Sequence, residues 1–104
     1  MRKKILAVAA TLLAGWAAQA PAKEPIKVGA ILAVTGPASF LGAPEVRTLE
    51  MMVADLNAKG GIDGHPVTLM VKDSGANPEK AISASKQLIE EEKVLAIIGP
   101  STRG

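Results

Sequence analysis

The chain is 104 residues long, carries 12 Lys+Arg against 10 Asp+Glu, and has no Cys, no Tyr, one Trp and one Phe. That is room for one domain at most. Without cysteine there is no disulfide framework and no thiolate for metal or catalysis, and His65 as the sole histidine leaves no second imidazole for a His-based zinc site.

The first predicted element is a leader. Met1-Arg2-Lys3-Lys4 is a basic start, and Ile5 to Ala18 is a 14-residue run without a charge. Ala18-Gln19-Ala20 then supplies the small-x-small pattern that signal peptidase reads. In this order they make residues 1–20 a secretory signal peptide, cut after Ala20. The run is shorter than the ~20 residues a membrane span needs, so no stable membrane insertion is expected. Removing it takes away Arg2, Lys3 and Lys4 and leaves nine basic residues against ten acidic. A near-neutral exported chain whose only aromatic is Phe40 lacks the basic stripe and stacking platforms of a nucleic-acid binder. No Cys follows the leader, which excludes lipid attachment at a new N-terminal Cys.

Ile26 to Val34 is apolar except for Lys27 and reads as a strand buried on both faces. Thr35-Gly36-Pro37 breaks it, and a loop is expected to about Gly42. Pro44 suits the first turn of a helix. Val46, Leu49, Val53 and Leu56 step by three, four and three along it, and Gly60-Gly61 stops it at a left-handed cap. Ile62-Asp63-Gly64 is a turn. From Pro66 to Asp73, Val67, Leu69 and Val71 point one way, and Thr68, Met70 and Lys72 the other. That is a strand with one wetter face, expected at a sheet edge.

Asn77 can cap and Pro78 begin a second helix. Its stripe is Ala81 or Ile82, then Ser85, Leu88 and Ile89. Glu90-Glu91-Glu92 puts three carboxylates at the negative end of the helix dipole, so a solvated, fraying last turn is expected. Val94 to Ile98 has no polar residue and reads as a central strand, ended by Gly99.

The order is β-α-β-α-β, the start of a Rossmann-like α/β parallel sheet. Right-handed crossovers and the burial pattern are met by spatial order 2-1-3, with the helices on opposite faces. The gap between strands one and three is then a topological switch point, where open α/β sheets bind ligands. Thr35 to Gly42 and Gly99 to Gly104 border it. The chain stops inside the second of these loops with the Val94–Ile98 edge uncovered, a hazard for aggregation, so the sequence reads as the front of a longer protein.

These residues carry a resemblance. The leader, Ile26-Lys27-Val28-Gly29, Thr35-Gly36-Pro37, Ala54-Asp55-Leu56-Asn57-Ala58-Lys59-Gly60-Gly61-Ile62, Asp73 with Asn77-Pro78-Glu79-Lys80-Ala81, and Ile97-Ile98-Gly99-Pro100 are similar to the opening of a periplasmic solute-binding protein of the branched-chain amino acid type. The match covers residues 26–104 in order and spacing. It implies a type I periplasmic binding fold of two α/β lobes closing over a ligand and delivering it to the permease of an ABC transporter. Residues 21–104 would be the first part of lobe 1, with no cofactor.

In such relatives the loop after the third strand helps hold the ligand's polar head with a Ser hydroxyl and backbone N–H groups. The corresponding loop here is Gly99-Pro100-Ser101-Thr102-Arg103-Gly104, with Arg103 where the family usually has Ser. A guanidinium takes a carboxylate as a two-pronged pair, which would favour an acid without an α-ammonium, or a diacid. The alternative is that Arg103 points to the cleft rim and that Ser101 or Thr102 only caps the next helix. The family often has an aromatic at the position of Leu41. Phe40 is its neighbour here, either as a cleft wall or packed on the first helix. The candidate ligand residues are therefore Ser101, Thr102, Arg103, Phe40 and Leu41.

Other polar residues read as structural. His65 lies between Gly64 and Pro66, in a turn at the far end of the sheet. Asp73 lacks the companion carboxylates a metal would need and is expected to cap a loop. Asp55 and Lys59 form a surface i,i+4 pair. Two functions stay open: a substrate-capturing protein of an importer for an amino acid or small organic acid, or an exported α/β hydrolase or phosphatase whose catalytic groups lie beyond Gly104. Residues 21–104 hold no nucleophile elbow, metal cluster or phosphate loop, and the resemblance favours the first.

Overall fold

The computed structural model describes residues 23–102. The leader and Arg103 lie outside them. Strand β1 (Ile26–Leu32) is followed by helix α1 (Ser39–Ala58), strand β2 (Val67–Asp73), helix α2 (Pro78–Lys86), a π-helical turn (Gln87–Glu91) and strand β3 (Ala96–Ile98). The three strands are parallel in the order β2-β1-β3. This is the expected 2-1-3 sheet, with the half-wet strand β2 at one edge.

Strand β1 ends two residues earlier than the apolar run suggests. Its ladder with β2 runs from Ile26 opposite Val67 to Leu32 opposite Asp73, and that with β3 from Val28 opposite Ala96 to Ala30 opposite Ile98. Past those points side chains replace strand partners. The Ala33 N–H donates to Ser101 Oγ (3.1 Å) and the Val34 N–H to Asp73 Oδ1 (2.9 Å). Ala33 is nonetheless fully buried, because apolarity reports burial and says nothing of the hydrogen-bond partner.

Each face of β1 carries a different helix, as side-chain alternation along a strand requires. Ile31 packs with Ala84 and Leu88 of the α2 segment, and Met70, Ala81, Val94 and Ile97 close that cluster. A Cβ on Gly29 would sit 2.7 Å from Leu88 Cδ1, so the wholly buried Leu88 uses the space that Gly29 leaves. Alternation turns Leu32 to the other face, where α1 packs on β1 and β2.

Helix α1 starts at Ser39, within the segment expected to be loop, and Pro44 sits in its sixth position instead of its first turn. The physical reason is Gly42. A Cβ there would overlap the Ala33 carbonyl oxygen, so the helix backbone lies directly on the end of β1. Pro44 forfeits one i→i−4 bond, to the carbonyl of Phe40, and both residues are exposed or half-exposed, where water can serve that oxygen. The stripe of Val46, Leu49, Val53 and Leu56 follows the spacing that faces a helix toward its sheet, with Val53 and Leu56 half-buried. At the other end the Gly60 N–H donates to Asn57 O (3.1 Å) and the Gly61 N–H to Leu56 O (2.9 Å), with φ of 100° and 74°. That pair of bonds is a Schellman cap.

The Ile62–His65 turn is a two-residue hairpin, with N–H to carbonyl bonds of 2.8 and 2.9 Å in the two directions. Asn57 then joins α1 to β2. Its Nδ2 donates to Val67 O (2.8 Å) and its Oδ1 accepts from the Val67 N–H (2.7 Å). The carboxamide supplies both bonds that a further strand would give at that point.

Asn77 caps α2 as expected, its Oδ1 accepting from Glu79 N–H (2.9 Å) and Lys80 N–H (3.3 Å). The triple-Glu end does not fray. It closes as the π turn, with the Glu92 N–H on Gln87 O (3.0 Å) and the Val94 N–H on Leu88 O (3.1 Å). Backbone donors therefore meet carbonyls that an open end would leave to water. Of the alternatives for the stripe, Ala81 packs inward, while Ile82 and Ile89 remain 58% and 59% exposed.

Strand β3 is shorter than Val94–Ile98, and among the described residues it is an edge strand, not a central one. Leu95 is 78% exposed and Ile98 42%. An all-apolar strand advertises burial, but composition cannot say which chain segment provides the cover.

Candidate functional site

The switch point lies where β1 and β3 deliver their carboxyl ends side by side. Gly99 makes the approach possible. Its φ is 122°, and a Cβ there would overlap the Ile31 carbonyl oxygen. The Gly99–Pro100 peptide is cis. Ser101 follows, and its Oγ accepts the Ala33 N–H at 3.1 Å. With Oγ accepting there, Ser101 keeps its hydroxyl proton and a second lone pair to offer another partner.

Ala33 is thus the meeting point of the site. Ser101 holds its N–H, and Gly42 of α1 lies against its carbonyl. The first turn of α1 therefore stands beside the β1–β3 gap and presents Phe40, 73% exposed, and Leu41, 41% exposed. Thr102 is half-buried on the other flank, in a small crevice with Pro100, Ser74, Asn77 and Pro78 at the start of α2. Of the five candidate residues, Ser101 stands at the gap, Phe40 and Leu41 on the α1 flank and Thr102 on the α2 flank. Arg103 lies outside the described residues.

A second device fixes the loop after β1. Asp73, the last residue of β2, accepts on Oδ1 from the N–H groups of Val34 (2.9 Å), Thr35 (3.2 Å) and Gly75 (2.9 Å), and on Oδ2 from the Thr35 hydroxyl. The Thr35 hydroxyl, followed by the backbone donors, holds the carboxyl at about 2 against an ordinary 3.8, with desolvation opposing them. Four hydrogen bonds to one ionised group make a rigid clasp. The expectation that Asp73 caps a loop holds, but nothing in the sequence pattern singles out Thr35 as its partner. Ser74, buried beside it, accepts the Ala76 N–H on Oγ (3.2 Å) and donates its own N–H to Leu32 O (2.9 Å).

The described residues of the site offer hydrogen-bond donors and apolar side chains. Among the described residues no three His, Cys, Asp or Glu side chains group closely enough to hold a metal ion. His65 lies at the opposite end of the sheet, its Nδ1 on the Glu24 carbonyl (2.7 Å). A carbonyl can only accept, so Nδ1 carries the proton. What remains is an open surface suited to hydrogen-bonding a small polar group beside Phe40 and Leu41.

A family model described as periplasmic binding protein matches residues 25–104. The chain belongs to the periplasmic binding protein family. It is 38% identical over its whole length to Leu/Ile/Val-binding protein homolog 7 of Brucella suis biovar 1, covering 25% of that relative. It is 39% identical over 85 residues, 80% of the chain, to the chemotactic signal transduction system substrate-binding protein BasB of Halobacterium salinarum, covering 21% of that protein. Among solved structures, the branched-chain amino acid transporter substrate binding protein LivJ of Streptococcus pneumoniae, in complex with isoleucine, aligns with a TM-score of 0.71 and 32% identity. That alignment covers 73% of this chain and 22% of the other. The chain thus spans about a quarter of the length of the curated relatives it matches, and its sheet is the β-α-β-α-β start of a periplasmic binding protein lobe.

Proposed function

We propose that this chain is the opening part of the substrate-binding component of an ABC importer, exported to the periplasm, which captures an amino acid or a related small carboxylate and delivers it to a membrane permease. The observation that carries the reading is the Ser101–Ala33 bond at the β1–β3 gap. It leaves a hydroxyl proton for an acceptor such as a carboxylate, next to the apolar surface of Phe40 and Leu41. Family membership and the isoleucine held by the pneumococcal relative support the ligand class. Thr102 would add a second hydroxyl, and Arg103 a guanidinium suited to pairing a carboxylate two-pronged. Capture requires no chemistry beyond tighter binding to a closed state than to an open one.

The test is titration calorimetry on the full-length gene product with L-isoleucine, L-leucine and a four-carbon dicarboxylate as probes. Saturable binding of at least one is expected, and Arg103→Ser is expected to move preference from the dicarboxylate toward the amino acids. No binding of any probe by a folded product would overturn the reading.

A further inference from the structure

Past Leu32 the chain leaves the sheet, and its next three N–H groups all donate to side chains at the carboxyl ends of the two neighbouring strands. On the β3 side the Ala33 N–H meets Ser101 Oγ (3.1 Å). On the β2 side the N–H groups of Val34 (2.9 Å) and Thr35 (3.2 Å) meet Asp73 Oδ1, and the Thr35 hydroxyl meets Oδ2. The Val34 N–H also reaches the Leu32 carbonyl (3.0 Å), which closes a tight turn with Ala33 at its centre. Ala33 therefore stands between two fixed points, Ser101 on one side and the Asp73 clasp on the other.

The clasp has a firm base. The Ser74 N–H donates to Leu32 O (2.9 Å), the Asn77 N–H to Ser74 O (2.8 Å) and the Gly75 N–H to Asp73 Oδ1 (2.9 Å). A Cβ on Gly36 would lie 3.1 Å from the Gly75 carbonyl oxygen, so the loops after β1 and β2 touch where the carboxylate ties them. Asp73 itself is exposed. Donors released from an exposed carboxylate find water, but water does not hold them in one place. What the clasp adds is a fixed course for residues 33–35. That course sets where the Ala33 N–H points, and the Ala33 N–H is what Ser101 Oγ accepts.

We propose that Asp73 is a positioning residue for ligand capture: by holding Val34 and Thr35 it places the Ala33 N–H, and through that bond the Ser101 hydroxyl, for the ligand's polar group. The inference rests on the capture reading above. Asp73 acts through Ser101 and makes no contact of its own with a ligand acid. An ionised carboxylate can only accept, and its Oδ1 already takes three N–H groups and its Oδ2 the Thr35 hydroxyl. A carboxylate-bearing ligand finds no donor there. The Ser101 proton is what such a ligand can use, and the direction of that proton depends on where the turn at Ala33 is held.

The test is titration calorimetry on the full-length gene product, with whichever of L-isoleucine, L-leucine and the four-carbon dicarboxylate the wild type binds most tightly. Each variant is measured well below its own melting midpoint. Asp73→Ala is expected to weaken affinity about tenfold. Thr35→Val, which removes the hydroxyl bond alone, is expected to show part of that loss, and Thr35→Ser to restore it. If Asp73→Ala does not fold, the Thr35 pair decides. In a Ser101→Ala background, Asp73→Ala is expected to cost little further affinity, because the two changes act on one route. Asn57→Ala loosens the joint at the other end of β2 and is expected to lower the melt while leaving affinity unchanged. Wild-type affinity in the Asp73 and Thr35 variants, an equal loss in Asn57→Ala, or losses from Asp73→Ala and Ser101→Ala that multiply in full would each overturn the assignment and leave the capture reading standing. No binding of any probe by the folded wild type overturns both.

Discussion

Four hydrogen bonds converge on the Asp73 carboxylate, and all but the one from Gly75 come from the loop that follows β1. Because folding holds this group at about 2 against an ordinary 3.8, the unfolded chain binds more protons in the interval between. The clasp's contribution is complete above about pH 4 and lost as pH falls toward about 2, so stability rises with pH across that window. Asp73→Asn keeps an acceptor for the backbone donors but has no charge to lose. Melts of the full-length product at stepped pH are expected to show the wild type's advantage over this variant shrinking from pH 4 to pH 2. Gly99 is the other residue on which the site depends. With φ at 122° and the Ile31 carbonyl oxygen occupying the place a Cβ would take, Gly99→Ala is expected to cost about 1–3 kcal/mol. It should also weaken ligand affinity by shifting Ser101, read by denaturant melts and calorimetry on one sample. Sequence reasoning pointed to the two loops at the switch point, and the family resemblance to Ser101, Thr102, Arg103, Phe40 and Leu41 within them as candidates. It could not reach the bond from Ala33 to Ser101 or the clasp on Thr35, since both depend on strand register, which places residues 68 and 38 positions apart next to each other.

The elements themselves were legible where periodicity and chain chemistry agree. The α1 stripe, the Gly60-Gly61 stop and the Asn77-Pro78 start each stand where side-chain spacing and capping require. Their ends were less legible, and the reason differs each time. β1 stops where side chains take over its donors, α1 starts early because Gly42 docks on Ala33, and the acidic end of α2 is closed by a π turn. Asn57 shows what periodicity misses: a polar residue on an otherwise exposed helix position that ties α1 to β2 through both its amide atoms. Removing it leaves the partly buried Val67 N–H and carbonyl without partners. Asn57→Ala is expected to cost about 1–3 kcal/mol, and Asn57→Asp, which keeps the acceptor but loses the donor, to fall between it and wild type. Urea midpoints of the full-length variants measure this. Equal midpoints for all three proteins would mean that the carboxamide adds nothing to the joint.

At the scale of the molecule, the described residues bury a small cluster around Ile31, Ala84 and Leu88, with Leu32 and Val67 among the few other buried apolar residues, and leave much apolar surface uncovered. Leu95, Ile98, Ile82 and Ile89 are all exposed, two of them on or next to the β3 edge. Among the described residues no strand pairs with the outer side of β3, the form of edge along which chains associate. Nor does it carry the charged residues with which natural edge strands resist pairing, since Val94 to Ile98 is apolar throughout. A polypeptide of residues 21–104 alone is therefore expected to be aggregated or molten. Dye binding to exposed apolar surface should be strong, no sharp thermal transition should appear, and L-isoleucine should not bind. The full-length product should melt cooperatively. Ile98→Lys separates edge association from general lack of a core: on the short polypeptide it should raise the soluble fraction by placing a charge on the edge, without restoring a cooperative melt. If the unmodified short polypeptide melts sharply as a monomer, the exposed β3 edge is tolerated and residues 23–102 are a self-sufficient unit.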